Sequence, residues 1–359
     1  MPKAPLHAVI LAGGPGSRFW PWSTPAAPKH ALPLLPGGRS LFEDTVSRLG
    51  RLVPPERLWL VTTAPQARTL RRLAPALRRD RVIVEPEARD TAAAIGVAAL
   101  RVAAVDPGAV MAVCPADHRV LPASAFVRQV RAAAALAARD ACLVTFGVRP
   151  DRPATTYGYL RVGGSLGTAG GVAFRRVAAF KEKPDLPTAR RYLASRGRFL
   201  WNSGIFVWKA EVLLSALARH APALHRGLNA LAPHLGTARE AATLKRRYPR
   251  LPRISIDYAV MESAARVAVA RAAFSWSDWG TWTAWEATLK PDVRGNRVYG
   301  NARVSGCRDT TAIGADPRRP LRVADARGHL VVQAPAGLLV CGRDQAEDLK
   351  RLLAEGGRP

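Results

Sequence analysis

The sequence predicts an α/β fold: a mixed sheet covered by helices on both faces, followed by a small β-rich region. Three observations lead there. Strand-like and helix-like segments alternate through the first half of the 359 residues. A short apolar strand runs straight into a glycine turn at residues 9–16. From about residue 297, helix formers give way to short strands separated by Gly, Pro and Asp turns.

Val9, Ile10 and Leu11 form the first strand, apolar throughout as in a strand buried on both faces. Gly13, Gly14 and Gly16 follow, and a turn built of glycines lets backbone N–H groups approach an anion with no Cβ in the way. Segments 58–61, 82–84, 110–113 and 142–146 read as further buried strands. Between them, Ser40-Leu41-Phe42-Glu43 is a capping box that opens a helix. Segments 65–79, 91–105 and 123–139, rich in Ala, Leu and Arg, are helical. This alternation argues for a mainly parallel sheet in the first half, with active residues at the carboxyl ends of its strands. The middle is more mixed: 172–180 and 205–208 read as strands, and 210–247 as successive helices broken at Pro222 and Pro233. A last helix over 345–353 closes the β-rich tail. The boundary between a catalytic domain, 1–292, and a C-terminal β-rich region, 293–359, is expected there.

Hydrophobic content of 48% and a mean hydropathy of −0.04 indicate a soluble globular chain. No apolar run approaches the roughly 20 residues of a membrane helix, so no membrane partner and a cytoplasmic location are expected. Cys114, Cys142, Cys307 and Cys341 are scattered without metal-ligand spacing and read as buried free thiols. The formal net charge of +27 points at first to nucleic acid. The charge is nevertheless spread along the chain, is mostly arginine, and accompanies no RNA-type aromatic motif or basic tail, so no nucleic-acid partner is expected. Lysine occurs only eight times, which makes Lys29, Lys181 and Lys183 harder to dismiss as background charge.

The glycine turn, Gly13-Gly14-Pro15-Gly16-Ser17-Arg18, has neither the dinucleotide nor the Walker spacing. Arg18 and Lys29 add positive charge beside it, as a triphosphate site requires. Alone, the turn reads equally as an ordinary strand-to-helix connection, and the two charges as solvated loop residues. Distant segments argue otherwise: Pro115-Ala116-Asp117-His118, Glu182-Lys183-Pro184, Trp201-Asn202-Ser203-Gly204 and Trp276-Ser277-Asp278-Trp279-Gly280. Together, and in this order, they resemble the sugar-1-phosphate nucleotidyltransferases, and within them the mannose-1-phosphate guanylyltransferases, also called GDP-mannose pyrophosphorylases. The resemblance runs from about residue 7 to the C-terminus.

It implies a Rossmann-like nucleotidyltransferase fold with a left-handed β-helix-like C-terminal region of the kind that often supports assembly, compatible with a homodimer, and GTP and mannose-1-phosphate as substrates. It also implies Mg²⁺ held by Asp117 and Asp278, each of which reads otherwise as a helix or turn cap. Ala12, Gly13, Gly14, Gly16, Ser17, Arg18 and Lys29 would run along the nucleotide, with Arg18 and Lys29 on the departing pyrophosphate. Lys183 would bind the sugar phosphate, making Arg18, Lys29 and Lys183 the catalytic cations. Gly158, Glu182, Asn202 and Asp257 would meet the hexose, with an N-cap as the alternative role for Asp257. Glu85, Asp90 and Thr91 stand where the resemblance puts the base. Asp90 replaces a usual asparagine, and it either accepts from guanine or caps the following helix. The stretch Ile254-Ser255-Ile256-Asp257-Tyr258-Ala259-Val260-Met261-Glu262 favours mannose over glucose. Some members carry a further phosphomannose isomerase domain, for which 359 residues leave no room.

Other classes compete. A different pair in the same family, UTP or dTTP with glucose-1-phosphate, uses the same machinery. A glycosyltransferase with a similar sheet would want an Asp-x-Asp pair, but Asp117 is followed by His118 and Arg119. A non-catalytic relative would have no need of Arg18, Lys29, Asp117, Lys183 and Asp278 together.

Overall fold

The computed structural model describes residues 4–14 and 16–349. The chain packs as two compact units. One is built of residues up to Gly13 together with Asp44–Ser277, the other of Gly14–Glu43 together with the chain from Asp278 onward.

The elements follow one another as β1 (Leu6–Ala12), α1 (Leu41–Leu49), β2 (Leu58–Thr63), α2 (Ala64–Leu73), β3 (Val82–Glu85), α3 (Asp90–Val105), β4 (Val110–Pro115), β5 (Arg119–Leu121) and α4 (Ala123–Asp140). Then come β6 (Leu143–Val148), β7 (Tyr159–Ala169), β8 (Val172–Lys181), α5 (Leu186–Ala194), β9 (Phe199–Lys209), α6 (Ala210–His220), α7 (Pro222–Asn229), α8 (Glu240–Arg247), β10 (Val267–Arg271) and β11 (Ser275–Ser277). The second unit adds α9 (Trp282–Glu286), β12 (Arg297–Gly300), β13 (Ala302–Ser305), β14 (Thr311–Gly314), β15 (Leu321–Ala324), β16 (His329–Ala334) and β17 (Gly337–Gly342).

The first unit is organised by a nine-stranded sheet in the order β3-β2-β1-β4-β9-β6-β10-β8-β7. The β3-β2-β1-β4 half is parallel, as expected. Beyond it β9 runs antiparallel to both β4 and β6. Alternate side chains divide the core between two faces. Val9, Val61, Met111 and Val113 share a cluster with α3, α6 and α7. Phe146, of opposite parity to Leu143 in that cluster, meets Phe274, which meets Phe126 of α4. Every residue of β4 from Val110 to Cys114 is consequently buried.

Boundaries move where local chemistry intervenes. The expected helix 65–79 stops at Leu73, because Pro75 disfavours helical backbone at Ala74. The expected strand 205–208 begins six residues earlier, at Phe199, and absorbs the Asn-Ser-Gly motif as an irregularity rather than a loop. Segment 343–348 is a 3₁₀ turn (Arg343–Asp348) followed by Leu349 in helical backbone, and residues 350–353 of the expected helix lie outside the described residues. The four cysteines are free, three buried and Cys341 half-buried. No helix among the described residues is long and apolar enough to cross a membrane.

The second unit has its own core. Phe19, Trp22, Leu32, Leu34 and Leu35 pack with Trp279, Trp282, Trp285 and strand residues Ile313, Leu330 and Val332. The Trp285 indole N–H donates to the Leu34 carbonyl at 3.0 Å, and the Tyr299 hydroxyl to that of Pro33 at 2.6 Å. Strands β12, β14 and β16 pair in parallel, as do β13 and β15. Alternate strands stacking in register is the pattern of a chain that coils, and it makes the C-terminal region β-rich as the sequence indicated.

The capping box forms as written. Glu43 N–H donates to Ser40 Oγ at 3.1 Å, and Ser40 N–H to Glu43 Oε2 at 2.7 Å. Ser40→Ala should therefore cost about 1–2 kcal/mol of stability. Urea unfolding of the variant beside the wild type checks this, and an unchanged midpoint would show the reciprocal pair to be idle.

Candidate active site

The carboxyl ends of β1 and β4 lie side by side, with Leu11 opposite Pro115 and the Ala116 N–H bonded to the Leu11 carbonyl at 2.9 Å. Asp117 is delivered to that edge, its carboxylate about one third exposed at 37%. Ala12 is pinned by the Thr62 hydroxyl, which donates to its carbonyl at 2.8 Å. A Cβ on Gly13 would lie 3.0 Å from Glu85 Oε2. Glu85 thus closes under the start of the glycine turn, where it is buried and accepts a hydrogen bond from the Tyr248 hydroxyl. Burial pushes the Glu85 carboxyl up to about 7, against the pull of the Tyr248 hydrogen bond.

Asp90 opens α3 with a left-handed backbone, φ +61°, and Oδ1 accepts from the Thr91 N–H at 2.7 Å. Its side chain is exposed, and α3 has Arg89 at its N-cap with no side-chain cap hydrogen bond, so Asp90 is the first helical residue rather than the cap. The Thr91 hydroxyl accepts from the Ile256 N–H at 2.8 Å, tying α3 to the segment that carries Asp257.

A tighter cluster forms around β8 and β9. Glu182 is buried, its N–H donates to Glu262 Oε1 at 2.8 Å, and its carboxylate accepts from Lys183 Nζ at 3.0 Å. Gly158 is a glycine for lack of room: a Cβ there would stand 2.4 Å from Glu182 Oε2 and 3.0 Å from the Phe180 ring. Between Thr145 and Gly147 the β6–β9 register shifts, a bulge that re-aims Asn202. Asn202 Oδ1 then accepts from the Thr145 hydroxyl at 2.8 Å, and Nδ2 donates to Asp257 Oδ1 at 2.9 Å. Asn202 is thus held at both ends of its amide, with one N–H set against Asp257. Asp257 begins a short π-helical turn, Asp257–Met261, with no side-chain cap, so its N-cap alternative is not realised. Burial, reinforced by the Glu182 charge, pushes its carboxyl up to about 7. Lys181 points outward and is exposed.

In the second unit, Gly16 has φ +63°, and a Cβ would lie 2.6 Å from the Lys29 backbone nitrogen, so only glycine fits. Ser17 and Arg18 begin an exposed 3₁₀ turn. Lys29 is no solvated charge: it is 5% exposed, and Nζ donates to the carbonyls of Asp278 at 2.6 Å and Trp279 at 3.3 Å. Asp278 Oδ1 accepts from the Gly280 N–H at 3.1 Å. The Arg18 guanidinium comes to 3.5 Å of the place a Gly280 Cβ would take, so Arg18, Lys29 and Asp278 converge.

Backbone strain marks the same places. Asp90, Lys183 and Trp279 are three of the seven described non-glycine residues with positive φ. Each such conformation costs of order 1–3 kcal/mol and persists only where the surroundings impose it, most often at functional sites.

Residues 7–292 match the family described as Nucleotidyl transferase. The chain belongs to that family. It is 34% identical, over 96% of its length and 73% of the relative's, to a mannose-1-phosphate guanylyltransferase of Klebsiella pneumoniae. Against one of Escherichia coli K12 it is 33% identical over 99% of this chain and 74% of that one. A crystal structure described as a mannose-1-phosphate geranyltransferase from Thermus thermophilus superposes with a TM-score of 0.82 and 33% identity, covering 98% of each chain. The protein is accordingly an enzyme of the nucleotidyltransferase family, grouped with the mannose-1-phosphate guanylyltransferases.

Residues that no local motif announces support this nucleotidyltransferase's site: Thr145 behind Asn202, Glu262 behind Glu182, and Tyr248 behind Glu85. The only sequence signal is for Glu262, which closes the 254–262 stretch.

Glu85 yields a pH test. Its ordinary value is 4.5, and in the fold it lies at about 7. Between those values the folded state binds more protons than the unfolded chain, so its contribution to stability falls as pH rises through the window and is level on either side. Relative to wild type, Glu85→Gln should gain stability from pH 4.5 to 7 by up to about 3 kcal/mol. Urea unfolding across that range checks it, and parallel pH profiles for the two proteins would remove the buried carboxyl from the account.

Proposed function

We propose that the enzyme makes GDP-mannose and pyrophosphate from GTP and mannose-1-phosphate. The observation that carries the reading is the cluster of Glu182, Lys183 and Asp257 against Gly158. It offers one cation for a phosphate and two carboxylates that accept hydrogen bonds from hydroxyls, as a sugar phosphate demands. The relatives' names favour the mannosyl and guanyl pair.

An oxygen of the sugar phosphate attacks the α-phosphorus of GTP. The bond from that phosphorus to the oxygen bridging to the β-phosphate breaks, and its electrons leave with pyrophosphate. The attacking group is already an anion, so the protein supplies position and positive charge rather than a nucleophile. Lys183 holds the sugar phosphate. The Glu182 carboxylate and its neighbours keep that ammonium above its ordinary value despite the burial that would lower it. Arg18 and Lys29 offset charge growing on the pyrophosphate. The backbone of Gly13, Gly14 and Gly16 lies along the nucleotide, and Glu85 beneath it and Asp90 and Thr91 at the start of α3 flank the base.

The donor chemistry of Asp117 and Asp278 fits Mg²⁺: both are hard carboxylates, and a Mg²⁺ ion that takes its remaining ligands from phosphate and water needs one or two of them. No group of three or more His, Cys, Asp or Glu side chains suited to a metal occurs among the described residues. Asp117 and Asp278 would hold the ion, which when bound supplies further charge neutralisation to the phosphates. Free polyanionic substrates of this kind suit a cytoplasmic location.

Pyrophosphate release measured across nucleoside triphosphates and hexose-1-phosphates should be fastest with GTP and mannose-1-phosphate. Faster turnover with UTP or dTTP and glucose-1-phosphate would overturn the assignment. Within the favoured pair, Lys183→Ala should chiefly raise the KM for mannose-1-phosphate, whereas Lys29→Ala should weaken GTP use and lower kcat. Charge-assisted hydrogen bonds are worth roughly 1.5–3 kcal/mol, so about ten- to a hundredfold effects are expected. Equal small changes in both KM values for both variants would contradict the division of labour.

A further inference from the structure

His118 follows the proposed metal carboxylate Asp117 and has no part in the reaction scheme above. Two segments besides its own close around it. Gly204 of β9, at φ +68°, lies against the ring: a Cβ there would stand in ordinary contact, 3.7 Å from His118 Cε1. Trp276 of β11 stands edge-on to the ring, at 5.2 Å and 85°. Its strand pairs with β5, placing Trp276 opposite Val120. Asp117 Oδ1 lies 3.8 Å from His118 Nε2.

The Trp276 indole Nε1–H donates to His118 Nδ1 at 3.1 Å. An indole nitrogen only donates, so Nδ1 must be the unprotonated nitrogen of a neutral ring. The ring proton is thereby assigned to Nε2, which faces the Asp117 carboxylate. We propose that His118 is a positioning residue for Asp117, its tautomer set by Trp276, so that the Nε2–H dipole orients the carboxylate that would hold Mg²⁺. This rests on the assignment of Asp117 to the metal. Carboxylates and imidazoles around metals commonly depend on such outer partners.

The fold contains its own control. Trp59 Nε1–H donates to His7 Nδ1 at 3.0 Å, and His7 Nε2 lies 2.8 Å from Asp106 Oδ2. The same Trp–His–Asp order recurs there at the opposite, amino end of β1, away from the carboxyl ends where Asp117 sits.

Protein labelled with ¹⁵N-histidine, read by long-range ¹H–¹⁵N NMR with His118→Gln locating the resonance, tests the tautomer. Wild type should show His118 as the Nε2–H form, with His7 as an internal reference. Trp276→Phe should mix the tautomers of His118 and leave His7 unmoved. A wild-type His118 protonated on Nδ1 overturns the proposal. Mn²⁺ titrated into the protein and followed by electron paramagnetic resonance tests the consequence. His118→Ala should weaken Mn²⁺ binding about 10- to 100-fold. His118→Gln, whose amide N–H replaces Nε2–H, should restore most of it. Loss of Mn²⁺ binding in Asp117→Asn with none in His118→Ala overturns the positioning role alone. Unchanged binding in Asp117→Asn overturns the metal assignment and the positioning role with it.

Discussion

A pair of carboxylates held out of water beside a single lysine is the constraint on which this site turns. Glu182 and Asp257 repel one another, and the Asp257 carboxyl rises to about 7 in answer to burial and to that repulsion. Lys183 lies 3.0 Å from Glu182 and is the cation set against the pair. In the proposed reading a phosphate would settle on the lysine side, while the two carboxylates would repel it and accept from hydroxyls. Orientation of a sugar phosphate follows from charge before any shape is considered. The arrangement also explains why Lys183 is tolerated at φ +45°: moving it to relaxed backbone would take its ammonium from the place where it balances the pair.

Holding such a pair requires rigid backing, and β9 supplies it. The bulge opposite Thr145 and Gly147 is a fault in the ladder whose effect is to turn Asn202 toward Asp257. Thr145 is fully buried, and its hydroxyl fixes which way the Asn202 amide faces: oxygen to Thr145, nitrogen to the carboxylate. Asn202 so oriented favours the ionised form of Asp257, to which its Nδ2–H donates. The family resemblance assigns Asn202 to the sugar, and these internal bonds use one N–H of its amide and leave the second.

Local chemistry carries most of the fold. Apolar runs bounded by turns locate β1, β2, β3, β4 and β6, and Ser40 with Glu43 announces a helix start that forms as written. Asp117 and the glycine turn are legible as strand-end residues because a parallel sheet presents those ends together. What stays hidden depends on partners far along the chain. Tyr248 reaches Glu85 across 163 residues. The segment Gly14–Glu43 shares a core with α9 and the C-terminal strands, although tryptophans at 22, 282 and 285 carry no spacing that pairs them. Lys29 reads from sequence as a solvated charge or a phosphate ligand, and its burial depends on two carbonyls that Trp279 turns inward.

That last contact bears on the side proposed to hold the triphosphate. Trp279 sits at φ +40°, an unfavourable conformation for a bulky residue, with its side chain buried. The strain turns the carbonyls of Asp278 and Trp279 onto the Lys29 ammonium, at 2.6 and 3.3 Å. The ammonium and the Asp278 carboxylate are therefore parts of one braced turn and not two independent charges. An anion arriving there meets Lys29 already ordered, so little side-chain entropy is lost on binding. The same bracing means that truncating Lys29 removes a support for Asp278 as well as a charge. Its effect on the chemical step should exceed that of Arg18, which is exposed and rests on no such turn.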